Sequence, residues 1–220
     1  MDINKNYSRQ LDFVKPSELD IPIWIIGAGG IGSWTTLALS KMGCSNLVVF
    51  DFDKVEAHNT SSQFFHPSQI GKFKVNSLKN NIEQTTENEI IAISKKFEEW
   101  DIQTPPQIII NATDSLDVRR KIWNYLKLNN FPFKLYVDAR MAGEFLRILT
   151  VSPLNAYSIS EYEKGLDPQK EAHEEPCTAR AIIYNVFFCA GIIANYVKKY
   201  VKSEPINLQT QLDLKIMQFI

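Results

Sequence analysis

The chain predicts an α/β fold, a mostly parallel sheet with helices on both faces, extended by antiparallel strands in its C-terminal half. Three observations predict it. Short apolar runs, PIWII at 22–26, NLVVF at 46–50 and QIII at 107–110, alternate with stretches of helical spacing, as strands buried on both faces of a parallel sheet do. The first run enters a glycine cluster that opens a helix. After residue 130 the rhythm changes to two neighbouring strand-like runs.

Taken in order, Pro22–Ile26 is the first strand. Residues 31–42 carry helical spacing and stop at Gly43, a natural helix C-terminus. Asn46–Phe50 is the second strand and ends in Asp51-Phe52-Asp53. A helix is expected within Pro67–Ile82 and a strand at Glu89–Ser94. Gln107–Ile110 leads through Asn111-Ala112-Thr113-Asp114 into a helix at about 116–128, with Ser115 placed to cap it. Phe133–Ala139 and Glu144–Ser152, separated by Arg140-Met141-Ala142-Gly143, read as a hairpin. Residues 155–176 are polar, with six acids (Glu161, Glu163, Asp167, Glu171, Glu174, Glu175) against Lys164 and Lys170. They read as a crossover loop, since long loops in compact domains are usually functional. An apolar helix at 178–201 and a strand-like run at Leu212–Ile220 close the chain.

The length suits a single domain, 1–220, with residues 1–20 as an N-terminal arm. Lys+Arg 24 against Asp+Glu 25 leaves a net charge of -1, which lacks the electrostatic footprint of a nucleic-acid binder. The N-terminus has no apolar signal-peptide core, so none is read. Residues 181–197 carry no charge, but their length and their Asn185, Gly191 and Asn195 favour a buried helix over a membrane span. The three cysteines, Cys44, Cys177 and Cys189, form no CxxC pair. The expectation is therefore a cytoplasmic protein without disulfides or structural zinc.

Gly27-Ala28-Gly29-Gly30-Ile31-Gly32 is a GxGxxG loop between a strand and a helix. Glycines there let the backbone approach phosphates, and the helix N-terminus offers N–H donors and a positive dipole. Asp51, at the end of the next strand, is placed to bind ribose hydroxyls. This makes the fold Rossmann-like. By itself the signal names a nucleotide and no reaction.

The wider spacing is more specific. Val55-Glu56, Asn59, Gln63, Gly71 and Lys74 follow Asp51-Phe52-Asp53, Thr113-Asp114 follows a later strand, and Tyr7-Ser8-Arg9-Gln10 precedes the first. From about Tyr7 to Lys199 the chain resembles the ThiF/MoeB/HesA superfamily, the ATP-dependent activators of ubiquitin-like proteins and sulfur carriers. Its strongest segments are GAGGIGSW, VVFDFDKVEAHN and NATDSLDVRR, and DARMAGE and EEPCTARAIIYN look similar to a short, zinc-free branch. The resemblance implies adenylation of the C-terminal carboxylate of a small protein, with pyrophosphate released. It implies that Gly27, Gly29, Gly30 and Gly32 hold phosphates, that Asp51 holds the ribose and that Asp53 belongs to the same nucleotide site. Asn59 and Lys74 would approach the triphosphate, and Asp114 would help hold Mg²⁺. Arg9 matches an arginine that reaches into the partner subunit of a homodimer. A carboxylate attacking an α-phosphate brings negative charge to negative charge, so cations such as Lys74, Arg9 and a metal at Asp114 suit the reaction.

Cys177 sits near the start of the last apolar helix, where dipole and N–H groups lower a thiol's pKa and Arg180 lies one turn away. Glu174 and Glu175 oppose that effect. The position resembles the cysteine that accepts the acyl group as a thioester in some relatives. Cys189 reads as an inert core residue and Cys44 as a turn residue. One departure stands out: many relatives carry an arginine just before the glutamine matched by Gln63, where this chain has Thr60-Ser61-Ser62. Lys72 or Arg140 would substitute, or adenylation would be weaker. Two other classes remain open on the residues alone. One is an NAD(P)- or flavin-dependent oxidoreductase, for which Asn59, Lys74 and Asp114 have no role. The other is a non-catalytic relative that recruits a ubiquitin-like protein. A short peptide or a small carboxylate would suit the same chemistry.

Overall fold

The computed structural model describes residues 7–86, 88–97, 104–166 and 182–220. Among these, eight strands form one sheet: β1 (Ile23–Ile26), β2 (Leu47–Phe50), β3 (Ile91–Ile93), β4 (Ile108–Asn111), β5 (Leu135–Ala142), β6 (Phe145–Val151), β7 (Gln209–Asp213) and β8 (Gln218–Phe219). Their order in space is β3-β2-β1-β4-β5-β6-β7-β8. The first five are parallel, in the 3-2-1-4-5 order of a doubly wound nucleotide-binding half. The last three extend the sheet by antiparallel pairing, beginning with the β5–β6 hairpin. The expected parallel sheet with an antiparallel C-terminal extension is what forms.

Five α-helices are described: α1 (Gly30–Met42), α2 (Lys74–Thr86), α3 (Leu116–Leu128), α4 (Ala156–Lys164) and α5 (Ile183–Val201). Alternate residues of each central strand serve opposite faces. Ile23 and Ile25 pack with Leu39 of α1, Leu78 and Ile82 of α2, and Ile193 of α5. Trp24 and Ile26 pack with Ile122 and Leu126 of α3 and Tyr162 of α4. Burying each such side chain is worth about 1.5–3 kcal/mol, against about 0.3–0.5 kcal/mol for a surface i,i+4 pair such as Lys79–Glu83 at 3.6 Å. The two apolar layers, not the surface ion pairs, hold the sheet. The uncharged run forms a helix buried on one face only: Val186, Cys189, Ile193 and Val197 of α5 are buried toward α1, while Tyr184, Phe187 and Phe188 are exposed. Among the described residues no helix is long and apolar enough to cross a membrane.

Three elements differ from expectation. The stretch 155–176 is not loop throughout, because Ala156–Lys164 is α4. The Asn155 side chain caps it, accepting from the Ser158 N–H at 3.1 Å. Tyr162 is buried against Trp123 and Tyr136, while Glu161 and Glu163 face outward to Lys164 and Lys127. With so few apolar residues inward, the helix carries little periodic signal. Residues 167–176 of the expected crossover lie outside the described residues. The helix expected within 67–82 is a 3-10 turn at Pro67–Gln69 followed by α2, which begins only at Lys74. Gly71, at φ 87°, turns the chain between them. The terminal run is two short strands rather than one, β7 and β8, with Met217 at positive φ before the second.

The start of α1 packs closely on the end of β1. A methyl group added at Gly32 would lie 1.8 Å from the Gly27 carbonyl oxygen, whereas one added at Gly191 in α5 meets nothing within 4 Å. Gly32→Ala is therefore expected to cost about 3 kcal/mol or more, and Gly191→Ala to stabilise by up to about 1 kcal/mol through helix propensity. Urea unfolding of the two variants beside the wild type measures both. Equal stabilities would refute the close approach.

Candidate nucleotide site

The carboxyl ends of β1, β2 and β4 open into one cleft of about 790 Å³, within the range of small-molecule sites and at the sheet edge where open α/β folds bind ligands. β1 ends at Ile26, and Gly27 turns the chain with φ 99°. Gly29 precedes the first helical residue of α1, so the N–H groups of the first turn face the cleft without intrahelical partners. A side chain at Gly29 would meet only the Gln63 amide nitrogen, at 4.0 Å. The loop is thus open on its solvent side, and backbone donors there suit a phosphate.

Asp51 follows β2 and braces this loop. Its Oδ2 accepts from the Ala28 N–H at 2.7 Å and its Oδ1 from the Asp53 N–H at 2.8 Å. Burial pushes its carboxyl above the usual carboxylate range, against the pull of the Lys74 charge and these two N–H donors. Lys74, the first residue of α2, donates from Nζ to Asp53 Oδ2 at 2.9 Å, and its N–H bonds the Asp53 carbonyl at 2.9 Å. Its stem is buried, so the ammonium is held at one place in the cleft. Asn59 is buried at the edge of the cleft, where its Oδ1 accepts from the Glu56 N–H at 2.9 Å and closes a turn. Asp114 is exposed at the opposite wall, after β4.

The structure thus brings Gly27, Gly29, Gly30, Asp51, Asp53, Asn59, Lys74 and Asp114 to one cleft. Gly32 serves it indirectly, through its close approach to Gly27. Arg9 is not at its own cleft. The arm carrying it docks at the far end of α1, where the Gln10 amide donates to the Met42 carbonyl at 2.7 Å and Tyr7 approaches Gly43. Cys177 lies outside the described residues. Cys189 and Cys44 are buried free thiols whose pKa burial pushes up to about 12, as inert residues require.

Of the two residues suggested to replace the missing arginine, Arg140 lines the cleft and Lys72 does not. Ser62 is buried with its carbonyl accepting from the Trp34 indole at 3.0 Å. Sequence reasoning missed Lys95, Lys96 and Lys121, which also line the cleft. It also missed Asp138, a fully buried carboxylate paired with Arg119 and Arg140. Lone lysines carry no signal, and Asp138 lies inside an apolar strand. Arg119, on α3, donates to the Thr113 and Ala139 carbonyls and so ties the turn before that helix to β5.

The state of Asp51 has a measurable consequence. Because the fold raises its pKa, the folded chain holds that proton more tightly than the unfolded one, so its contribution to stability is full below the unfolded pKa and is lost as pH rises through the folded pKa. Asp51→Asn lacks this loss. The stability of Asp51→Asn relative to wild type is expected to improve between pH 3 and pH 7, as read by urea unfolding of the nucleotide-free proteins. A difference that narrows in the other direction would contradict the assignment.

Ubiquitin-like modifier-activating enzyme 5 of Aedes aegypti is 30% identical to this chain over 126 residues, 49% of this chain and 32% of that protein. Its counterpart in Drosophila persimilis is 41% identical over 75 residues, 34% of this chain and 17% of the relative. The matched part therefore spans about a third or less of these curated relatives. Among solved structures, E. coli MccB crystallised with ATP superposes with a TM-score of 0.73 at 18% identity, over 99% of this chain and 70% of that one. PaaA gives a TM-score of 0.76 at 19% identity, over 99% and 81%. At these identities the likeness is one of fold. The sequence model of the ThiF family matches residues 7–219, and the chain belongs to the ThiF family.

Proposed function

We propose that this protein is an ATP-dependent adenylyltransferase that activates a carboxylate as an acyl-adenylate. The observation that carries the reading is the convergence of the glycine loop, Asp51, Asn59, Lys74 and Asp114 on one cleft. The relatives are named as activating enzymes of ubiquitin-like modifiers, and the neighbour MccB is described in complex with N-formylated MccA. The substrate we favour is accordingly the C-terminal carboxylate of a ubiquitin-like or sulfur-carrier protein, or of a short peptide.

In this reading a carboxylate oxygen attacks the α-phosphorus of ATP. A new O–P bond forms, the bond to the β-phosphate oxygen breaks, and pyrophosphate leaves. N–H groups of the first turn of α1 hold phosphate oxygens, and Asp51 orients the ribose through its hydroxyls. Lys74 leaves Asp53 for the triphosphate and offsets its charge, in a cleft to which Lys95, Lys96, Lys121 and Arg140 add positive charge. Among the described residues no group of three or more His, Cys, Asp or Glu side chains could cage a metal ion. Asp114 alone nevertheless fits Mg²⁺, which is commonly held by one or two carboxylates together with substrate phosphates. When bound, Mg²⁺ would neutralise charge on those phosphates. Asn59, Lys74 and Asp114 have no task in holding a nicotinamide, which disfavours the oxidoreductase reading. Cys177 is proposed as the acceptor of a thioester on sequence grounds alone.

We read the working unit as a homodimer in which Arg9 acts in the partner's cleft. What supports this is distance: α1 has 13 residues, about 20 Å of helix, and the arm sits at its far end from the glycine loop. A cognate carboxylate substrate is expected to support exchange of pyrophosphate into ATP, and Lys74→Ala and Arg9→Ala are each expected to lose most of it. Mixing the two variants, once subunit exchange has been verified, should restore activity, since one site of each heterodimer is intact. Exchange by neither wild type nor mixture would reject the enzyme reading; wild-type activity without restoration would reject the action in trans.

A further inference from the structure

A closed ring of buried and half-buried hydrogen bonds runs through the turn that carries Asp114. Asp138, in the middle of β5, pairs through one carboxylate oxygen with Arg119 of α3. Arg119 donates to the Thr113 carbonyl, and Thr113 donates from Oγ1 to Asn111 Oδ1 at 2.8 Å. The Asn111 amide donates to the Tyr136 hydroxyl at 2.8 Å, and the Tyr136 and Tyr162 hydroxyls meet at 3.3 Å. Tyr162, on α4, closes the ring by donating to the other Asp138 oxygen at 2.6 Å. Arg140 joins the same oxygen at 3.2 Å and donates to the Gly165 carbonyl at 2.9 Å. Burial holds the pKa of both phenols above the ordinary tyrosine range, so each keeps its proton and remains a donor.

We propose that Tyr162 and Asp138 are positioning residues that fix the Thr113–Asp114 turn for nucleotide binding, coupling α4 to the nucleotide site. This rests on the ATP-binding reading above. The residue before Asp114 is clamped at its carbonyl by Arg119, and at its N–H and hydroxyl by Asn111, at 3.2 and 2.8 Å for the latter pair. Both clamps lean on groups that the ring holds in place. Hydrogen bonds in a buried chain polarise one another, so breaking one loosens the rest. Asp138 is fully buried between two guanidinium groups, and such a carboxylate tolerates little displacement without losing its pairing. A shift of α4 therefore reaches Asp114 through Tyr162, Asp138 and Arg119, without touching ATP.

The test is a double-mutant cycle in the full chain, read by calorimetric titration with ATP and Mg²⁺. Tyr162→Phe keeps the edge-to-face contact with Trp123 and removes only the hydroxyl. It is expected to weaken ATP·Mg²⁺ binding about tenfold when Asp114 is present, and less than about twofold in an Asp114→Ala background, because Tyr162 acts through Asp114. Titrations are made where circular dichroism shows every variant folded, with Tyr136→Phe as the replacement should Tyr162→Phe not fold. Equal weakening in both backgrounds, or none in either, overturns the coupling. Wild-type protein that binds no ATP overturns the nucleotide reading beneath it.

Discussion

The carbonyl oxygen of Gly27 and the α-carbon of Gly32 are so close that no side chain fits between them. Everything in the cleft depends on that contact. It seats the first turn of α1 directly on the end of β1, so the helix N-terminus points its free N–H groups along the carboxyl edge of the sheet. Asp51 then reaches back from the neighbouring strand to the Ala28 N–H at 2.7 Å. Parallel pairing of β1 with both β2 and β4 places Asp51 and Asp114 on either side of the same loop. A one-residue slip in either register would send these side chains to opposite faces.

Charge in the cleft is arranged in advance of any ligand. Lys74 is held by Asp53, with the lysine side chain 10% exposed and the aspartate 54% exposed. Such a pair adds little to stability, about 0–1 kcal/mol for exposed partners, and its value lies in keeping a desolvated ammonium at a defined place. Asp51 opposes the trend, since its burial disfavours the charge that ribose binding uses. The neighbouring ammonium and two backbone donors offset only part of that cost. A cleft built this way favours a polyanion over a neutral ligand.

Much of this was legible in the sequence because it rests on local signals. The β1–α1–β2 unit shows in PIWII, GAGGIG and NLVVF, and Gly43 ends the helix where its left-handed φ of 97° requires. Asp51 and Asp114 were readable from their places after apolar strands. What stayed hidden depends on contacts made across the fold. α4 is recognised by one buried tyrosine and a cap, not by a periodic stripe. Asp138 looks like a defect in an apolar strand until Arg119, 19 positions earlier in the sequence, packs against it. Within the stretch expected to hold a helix, Pro67 opens only one 3-10 turn and Gly71 redirects the chain, so α2 starts at Lys74 and runs past Ile82 to Thr86.

The central claim is that this cleft takes ATP, with its phosphates on the glycine loop, rather than a dinucleotide cofactor. Parallel calorimetric titrations of the wild-type chain with ATP in Mg²⁺ and with NADH test it most directly. ATP is expected to bind at one site per chain and NADH to give no binding heat at the same concentrations. NADH binding that ATP neither matches nor displaces would contradict the account.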